Sequence, residues 1–303
     1  MRDLAITLLR RLLPLLALLV FVPAAQAEPC RTNCLAPGDY DLQMQSGGYL
    51  RRYRVHVPQR YSGQAPVALV VDVHGHALTN DDQMKRSGQR EQSDRLGFVV
   101  VWPQGIANSW NGQGCCTVAY DLKVDDVGFL RSVIGELKAR TNIDAGKVYV
   151  TGWSNGAGLT QRMACEAADL VTAIAPVAHP VNTADCRPSR PVSVLAFHGT
   201  ADETIPYDGG GTVLPREILG VPLGWQGARA SLAAWKGIAG CSSTLTATQL
   251  AGASRDESYR SCAGGASVGL VTVADGKHDL YTDTGLPGRV DVAAYIWSHV
   301  FRP

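Results

Sequence analysis

The chain has 303 residues, with 28 lysines and arginines against 27 aspartates and glutamates, which gives a formal net charge of +1. Because 46% of the residues are hydrophobic and 18% are charged, the composition excludes an intrinsically disordered protein. No basic excess is present to neutralise phosphates, which argues against nucleic acid as the main partner. The length allows one large domain with a sizeable core.

The N-terminus has the pattern of an export signal. Arginines within the first eleven residues precede an apolar run at residues 12–22, and a small-x-small Ala-Gln-Ala sequence follows at residues 25–27. This pattern predicts a secretory signal peptide at residues 1–27 and a single mature domain at residues 28–303, secreted or periplasmic. A membrane anchor is less favoured because the run is short for a bilayer span, and no later stretch predicts a membrane span.

Apolar runs alternate with helical patterns along the mature chain. The run at residues 50–57 alternates and suits an antiparallel edge strand, whereas the later runs are nearly continuous, as in strands covered on both faces. Strands followed by helices predict an α/β fold with a mostly parallel central sheet and helices on both faces. The later strands are predicted at 67–73, 98–102, 148–151, 171–175, 191–197 and 267–273, and the helices at 125–141 (capped by Asp125 or Asp126), 155–165, 226–239 and 291–299.

Two segments match the pattern Gly-x-Ser-x-Gly, at Ser154 and at Ser267. A serine nucleophile on this motif needs a strand before it and a helix after it, so that the hydroxyl projects from a tight turn. Ser154 has that context, whereas Ser267 follows a glycine-rich loop and precedes a strand. We therefore predict that Ser154 is a catalytic nucleophile; the alternative is a structural glycine-rich turn.

A serine nucleophile requires a general base, which a carboxylate must orient. For this strand–serine–helix turn the chain order is serine, acid, histidine. His278 follows the last predicted strand, where the ends of parallel strands form sites, and we predict it as the base. Three other histidines also follow the serine, but His179 and His198 come too early and His299 lies in the C-terminal helix.

The predicted acid is Asp202, which comes just after the strand that ends at His198. Glu203 is a competitor that would point in a different direction. Asp279 is adjacent to His278 and is poorly placed to reach the ring of its own neighbour.

A tetrahedral intermediate needs backbone hydrogen-bond donors. The predicted donors are the N–H of Asn155, directly after the nucleophile, and the N–H of His76 in the loop after the strand at 67–73. The alternative for this loop is metal ligation by Asp72, His74 and His76, but no further ligand cluster is evident. We therefore predict no metal.

Together these motifs resemble the exported esterases of the polyhydroxybutyrate depolymerase and feruloyl esterase group, within carbohydrate esterase family one. The resemblance implies an α/β-hydrolase fold and a Ser154, Asp202, His278 triad that works without a metal or organic cofactor. The segments that match the family lie between about Tyr49 and Cys262. They are residues 73–75, 110–111, 115–116, 124–130, 152–156, 198–202 and 205–207, together with Trp235 and Cys241.

One departure from the family concerns the substrate pocket. The catalytic histidine of the family is usually followed by tryptophan, proline and glycine, whereas here Asp279, Leu280 and Tyr281 follow. Tyr281 is therefore the candidate to replace the missing aromatic wall. Trp110 is a second candidate wall residue, or an ordinary packing residue.

Export makes disulfides plausible, and proximity along the chain suggests pairs. A bond between the vicinal Cys115 and Cys116 would be strained, so this pair is expected to bond to the N-terminal cysteines. The alternative is that some cysteines are buried free thiols. The predicted pairs are Cys165–Cys186 and Cys241–Cys262, with Cys115 and Cys116 bonded to Cys30 and Cys34.

The sequence thus predicts a secreted serine esterase that cleaves small or oligomeric esters, either hydroxyalkanoate oligomers or feruloyl- and acetyl-type esters, through an acyl-enzyme. An acyltransferase could use the same triad with an alcohol in place of water. A non-catalytic binding protein with this fold is the alternative from another class, and the intact set of candidate residues argues against it.

Overall fold

The computed structural model describes residues 30, 33–114, 116–181, 186–211, 224–282 and 290–301. The predicted signal peptide, residues 1–27, lies outside them. The strands of the described residues are β1 Gly38–Ser46, β2 Tyr49–Val57, β3 Val67–Val73, β4 Val99–Pro103, β5 Ile143–Trp153, β6 Ala173–Val177, β7 Ser193–Gly199, β8 Gly209–Gly211, β9 Gly224–Gln226, β10 Thr246–Gln249, β11 Arg255–Tyr259 and β12 Val268–Val273. The α-helices are α1 Asn80–Arg86, α2 Gln89–Leu96, α3 Thr117–Asp121, α4 Asp126–Arg140, α5 Asn155–Glu166, α6 Ala228–Ile238 and α7 Val292–His299.

Ten of these strands form one sheet in the order β1-β2-β4-β3-β5-β6-β7-β12-β11-β10, and β8 pairs with β9 separately. The six strands from β4 to β12 in that order run parallel, and antiparallel pairs extend the sheet at both edges. The parallel strands are nearly all buried, as their continuous apolar runs predict.

Each face of the sheet packs against its own set of helices. On one face, Val71 of β3 belongs to a core that includes Leu130 of α4 and Leu159 of α5. On the other face, Val70 belongs to a core that includes Ile296 of α7. The predicted α/β architecture with helices on both faces is therefore confirmed. No helix of the described residues combines the length and apolar character needed to cross a bilayer.

The antiparallel edge strand predicted at residues 50–57 is only half correct. β2 is antiparallel to both of its neighbours, but β1 covers its outer side and takes the edge position. β1 alternates between half-buried and exposed residues, so it carries no strong apolar signal. The capping prediction holds for Asp125, whose side chain accepts a hydrogen bond from the N–H of Gly128 at 2.8 Å.

The strand–helix turn at the centre of the sheet depends on two backbones crossing closely. A Cβ atom on Gly156, in the first turn of α5, would collide with the carbonyl oxygens of Val73 and His74 at the end of β3. The two carbonyls belong to backbone and cannot swing away. Glycine is therefore required where α5 passes over β3.

We expect Gly156→Ala to destabilise the protein by about 1–3 kcal/mol, because overpacking must move backbone. Gly135→Ala is the matched control, since Gly135 lies in α4 with no atom within 4 Å of an added Cβ. That substitution should be neutral or stabilise by up to about 1 kcal/mol through helix propensity. Urea unfolding of both variants provides the measurement, and equal effects would contradict the packing argument.

Two of the predicted disulfides are present. Cys165 at the end of α5 bonds to Cys186, and Cys241 after α6 bonds to Cys262. Each bond spans 21 residues and links a helix end to a loop beside the sheet.

The prediction for the remaining cysteines is wrong. Cys30 bonds to Cys34, with their Cα atoms 5.7 Å apart, so neither is available to Cys115 or Cys116. Closing the short loop between Cys30 and Cys34 costs less chain entropy than closing the much longer loop to Cys115 or Cys116. Cys116 is disulfide-bonded nevertheless, and Cys115 lies outside the described residues.

Candidate active site

Ser154 lies at the turn between the end of β5 and the start of α5, as the motif predicts. Its backbone has φ 55° and ψ −123°, a strained conformation for a residue with a side chain. The N–H of Ser154 donates to the carbonyl of Val177 at 2.9 Å, which fixes the turn against β6. Ser267, the serine of the other motif, lies just before β12, and its N–H donates to the hydroxyl of Ser193.

The three residues predicted as nucleophile, base and acid lie in one hydrogen-bonded row. His278 Nε2 is 2.8 Å from the hydroxyl oxygen of Ser154, and its Nδ1 is 2.8 Å from Oδ2 of Asp202. They come from three loops at the carboxyl edge of the sheet, after β5, β7 and β12. The row has the geometry of nucleophile, general base and orienting carboxylate.

The surroundings of Asp202 keep it ionised. Burial alone would raise the pKa of Asp202, but hydrogen bonds from His198 and His278 lower the pKa below its ordinary value. Its second oxygen, Oδ1, accepts the backbone N–H groups of Thr204 at 2.9 Å and Ile205 at 2.8 Å. A carboxylate is thus held in one orientation facing His278.

His198, an alternative candidate for the base, contacts the predicted acid instead. Its Nε2 lies 2.8 Å from the carbonyl of Ile205 and 3.4 Å from Oδ2 of Asp202. Glu203, the competing acid next to Asp202, is exposed.

The other candidates for base and acid do not join this row of three side chains. His299 stacks on Tyr295 at the end of α7. Oδ1 of Asp279 lies 3.6 Å from the guanidinium of Arg86. His179 lies beside α5, where its Nδ1 contacts the carbonyl of Pro180 and its Nε2 has no hydrogen-bond partner in the described part of the chain.

The two predicted oxyanion donors lie on facing segments. Asn155 is the first residue of α5, and His76 lies in the loop after β3, where its Nε2 is 3.2 Å from the hydroxyl of Thr117. Across the described ranges, no hydrogen bond occupies the N–H of His76, whereas the N–H of the next residue, Ala77, donates to Asn108 at 2.8 Å.

The side chain of Asn155 clamps the backbone of Trp110. Its Oδ1 accepts the N–H of Trp110 at 2.8 Å and its Nδ2 donates to the carbonyl at 3.0 Å. The indole N–H of Trp110 donates to the carbonyl of His74 at 2.9 Å. His74 in turn accepts the N–H of Gly105 on Nε2 at 3.0 Å. Trp110 therefore connects the segment of one predicted oxyanion donor to the segment of the other.

A buried ion pair that the sequence did not reveal supports this clamp. Oδ1 of Asp126 accepts from Arg51 at 2.7 Å, and its Oδ2 accepts the N–H of Asn111 at 2.8 Å. Both side chains are almost fully buried, and the guanidinium carbon of Arg51 lies 4.0 Å above the ring of Phe129. The sequence favours a helix-capping role for Asp126, because a partner 75 residues away leaves no local signal.

Trp110 and Tyr281 do not form an open pocket wall. Trp110 agrees with the alternative of an ordinary packing residue, whereas the prediction for Tyr281 is wrong. Trp110 is fully buried and Tyr281 is 1% exposed. The hydroxyl of Tyr281 accepts the N–H of Gly199 at 2.8 Å and donates to the carbonyl of Lys277 at 2.6 Å. Through these two hydrogen bonds Tyr281 connects the loops that carry Asp202 and His278.

The aromatic residue next to the base is Trp153, which sequence reasoning missed although it lies inside the serine motif. Its ring centroid is 5.1 Å from that of His278. The guanidinium carbon of Arg86 lies 5.1 Å from the centroid of the same indole. Trp153 therefore packs against the imidazole of His278 on one side.

The residues of the alternative metal site are engaged elsewhere. Oδ1 of Asp72 accepts from the side chain of Gln83 at 2.7 Å, and its Oδ2 accepts from the indole of Trp102 at 2.8 Å. Burial raises the pKa of Asp72 to about 6. His74 is held by Gly75 and Gly105. Among the described residues, no group of three or more His, Cys, Asp or Glu side chains is arranged to hold a metal.

The α/β-hydrolase class is defined by a mostly parallel sheet and a serine at a strained strand–helix turn, followed along the chain by an acid and then a histidine. The described structure has all of these features. A solved structure shows the same fold: acetyl xylan esterase from Aspergillus awamori matches with a TM-score of 0.58 at 15% identity, over 80% of this chain and 94% of that one.

Sequence relatives point to one branch of that class. The chain is 30% identical over 239 residues to feruloyl esterase B of Piromyces equi, covering 75% of this chain and 42% of that protein. It is 33% identical over 171 residues to putative esterase NocK of Nocardia uniformis subsp. tsuyamanensis, covering 54% of this chain and 48% of that protein. The chain thus spans less than half the length of these two curated relatives, and no family model matches it. The predicted resemblance to the feruloyl esterase group is confirmed.

Proposed function

We propose that the protein is a serine esterase that hydrolyses carboxylic esters through an acyl-enzyme. The observation that carries the proposal is the continuous row from the hydroxyl of Ser154 through His278 to Asp202, with both contacts at 2.8 Å. The similarity to feruloyl esterases adds support for ester substrates.

In this mechanism the hydroxyl of Ser154 attacks the ester carbonyl carbon while Nε2 of His278 takes its proton. Asp202 keeps the ring oriented and stabilises the imidazolium. The N–H groups of Asn155 and His76 bind the oxyanion. His278 then protonates the departing alcohol, and a water that it deprotonates attacks the acyl carbon to release the acid and Ser154.

The substrates we propose are hydroxyalkanoate oligomers or feruloyl- and acetyl-type esters. A panel of p-nitrophenyl acetate and butyrate, methyl ferulate and hydroxybutyrate oligomers separates these groups. An alcohol added as competing acceptor distinguishes hydrolysis from transfer, because hydrolysis gives the free acid as the dominant product.

We expect Ser154→Ala to lower kcat by at least about 10⁴-fold on the preferred ester, because no other group of the row can form the acyl-enzyme. Ser267→Ala is the matched control, since it removes the serine of the other Gly-x-Ser-x-Gly segment and should retain activity. Steady-state kinetics with both purified variants provides the measurement. An active Ser154→Ala variant would contradict the serine mechanism.

We also propose that the protein is exported and that its signal peptide is removed after Ala27. The three disulfides among the described cysteines support an oxidising compartment. N-terminal sequencing of protein recovered outside the cytoplasm should begin at Glu28. Recovery of the protein only in the cytoplasm with its first residues intact would contradict export.

A further inference from the structure

Three ring nitrogens near the row are buried and have no hydrogen-bond partner in the described structure: Nε2 of His179, Nε1 of Trp225 and Nε1 of Trp153. Most buried polar atoms in proteins are paired, so an unpaired one calls for a physical explanation. Such an atom at the wall of a substrate site is explained if the substrate supplies its partner.

His179 lies close to the start of α5, which directly follows Ser154. It follows β6, whose last residue, Val177, accepts the N–H of Ser154 at 2.9 Å. Its Nε2 is 3.1 Å from the point where a Cβ on Gly158 would lie, and Gly158 is one helical turn after Ser154. The unpaired nitrogen therefore borders the first turn of α5, the helix that begins directly after Ser154.

The unpaired nitrogen of His179 is a hydrogen-bond acceptor. Nδ1 lies 2.7 Å from the carbonyl of Pro180, and because a carbonyl can only accept, Nδ1 carries the hydrogen and Nε2 has a bare lone pair. Burial lowers the pKa of His179 to about 4, so the ring is neutral at neutral pH.

Trp225 supplies the complementary group. Its indole N–H can only donate, and its ring meets that of His179 edge to face, with centroids 4.9 Å apart. A neighbouring acceptor and donor together match a hydroxyl group, which donates one hydrogen bond and accepts others.

The segment that carries His179 is held rigidly. The carbonyl of His179 accepts from Gln161 at 2.8 Å, and the N–H of Val181 donates to the hydroxyl of Ser231 at 2.9 Å. Gln226, next to Trp225, donates to the carbonyl of Val181. The two rings are therefore fixed relative to each other and to α5, as a binding site requires.

We propose that His179 and Trp225 form a subsite that binds a hydroxyl group carried by the ester substrate. This inference rests on the proposed esterase function and narrows its substrate class to hydroxylated esters. The hydroxyl can belong to the acyl group or to the alcohol, and esters that carry it on one side or the other distinguish these two sources.

The test compares kcat/KM for esters that differ only by one hydroxyl. Methyl p-coumarate against methyl cinnamate, and methyl 3-hydroxybutyrate against methyl butyrate, place the hydroxyl on the acyl group. 2-Hydroxyethyl butyrate against propyl butyrate places it on the alcohol. The wild type should prefer the hydroxylated ester in at least one pair by about tenfold, since a site built to bind a hydroxyl leaves its own groups unpaired without one.

His179→Phe keeps a ring but removes the acceptor, and it should reduce that preference to about one. His179→Gln places an acceptor near the position of Nε2 and should restore part of the preference. Trp225→Phe removes only the donor and carries the same test if His179→Phe fails to fold, as judged by its melting temperature.

An unchanged preference in folded His179→Phe and Trp225→Phe would overturn the subsite, as would a wild type that cleaves both members of every pair equally well. In those cases the esterase proposal would stand, because the esters are cleaved. If the folded wild type cleaves none of the six esters and Ser154 forms no acyl-enzyme, both proposals fail.

Discussion

Asp202→Asn is expected to lower kcat by about 10⁴-fold with little change in folding. The two backbone N–H groups that face Oδ1 would orient the new amide with its oxygen toward them. Its NH₂ group would then point at Nδ1 of His278, which must accept and leave the hydrogen on Nε2. That tautomer cannot take the proton of Ser154.

Glu203→Gln is the matched control, because it makes the same change one residue later on an exposed side chain. Its kcat should stay within about twofold of the wild type, as is usual for a surface substitution away from the site. If Asp202→Asn retained kcat within tenfold of the wild type, Asp202 would not be the orienting carboxylate.

Asp126→Ala is expected to destabilise the protein by about 3–5 kcal/mol, because it leaves the charge of Arg51 buried without its partner. It also removes the acceptor for the N–H of Asn111, next to the clamp between Trp110 and Asn155. Activity of the folded fraction should therefore fall as well. Urea unfolding measures the first effect, and active-site-titrated kinetics measures the second.

Asp125→Ala is the control for this substitution. Asp125 is the N-cap of the same helix, and losing a cap costs about 0.5–2 kcal/mol. If the two variants were equally stable, the ion pair would contribute no more than an ordinary cap.

The sequence predicted the parts of the site that have local signals. Ser154 has a strand before it and a helix after it, and both follow from apolar patterns within about ten residues on either side. Asp202 and His278 follow from chain order together with the ends of two apolar strands. The central strands were found for the same reason, since continuous apolar runs mark strands buried on both faces.

The missed features depend on partners that are distant along the chain. Arg51 and Asp126 look like ordinary surface residues until β2 and α4 come together. The polar atoms of Trp110 and Tyr281 form hydrogen bonds inside the protein. The sequence alone cannot distinguish such a buried aromatic residue from one that lines a substrate pocket. β1 was missed because its half-exposed alternation resembles a polar loop.

In the proposed mechanism Ser154 becomes covalently acylated. The most direct measurement is mass spectrometry of the intact protein and of its peptides after brief reaction with a fluorophosphonate, a reagent that traps activated serines. We expect one adduct per chain, on Ser154, and we expect that adduct to be lost in His278→Ala because no base remains to activate the hydroxyl. An ester-cleaving protein that forms no adduct, or forms it on Ser267, would contradict this mechanism.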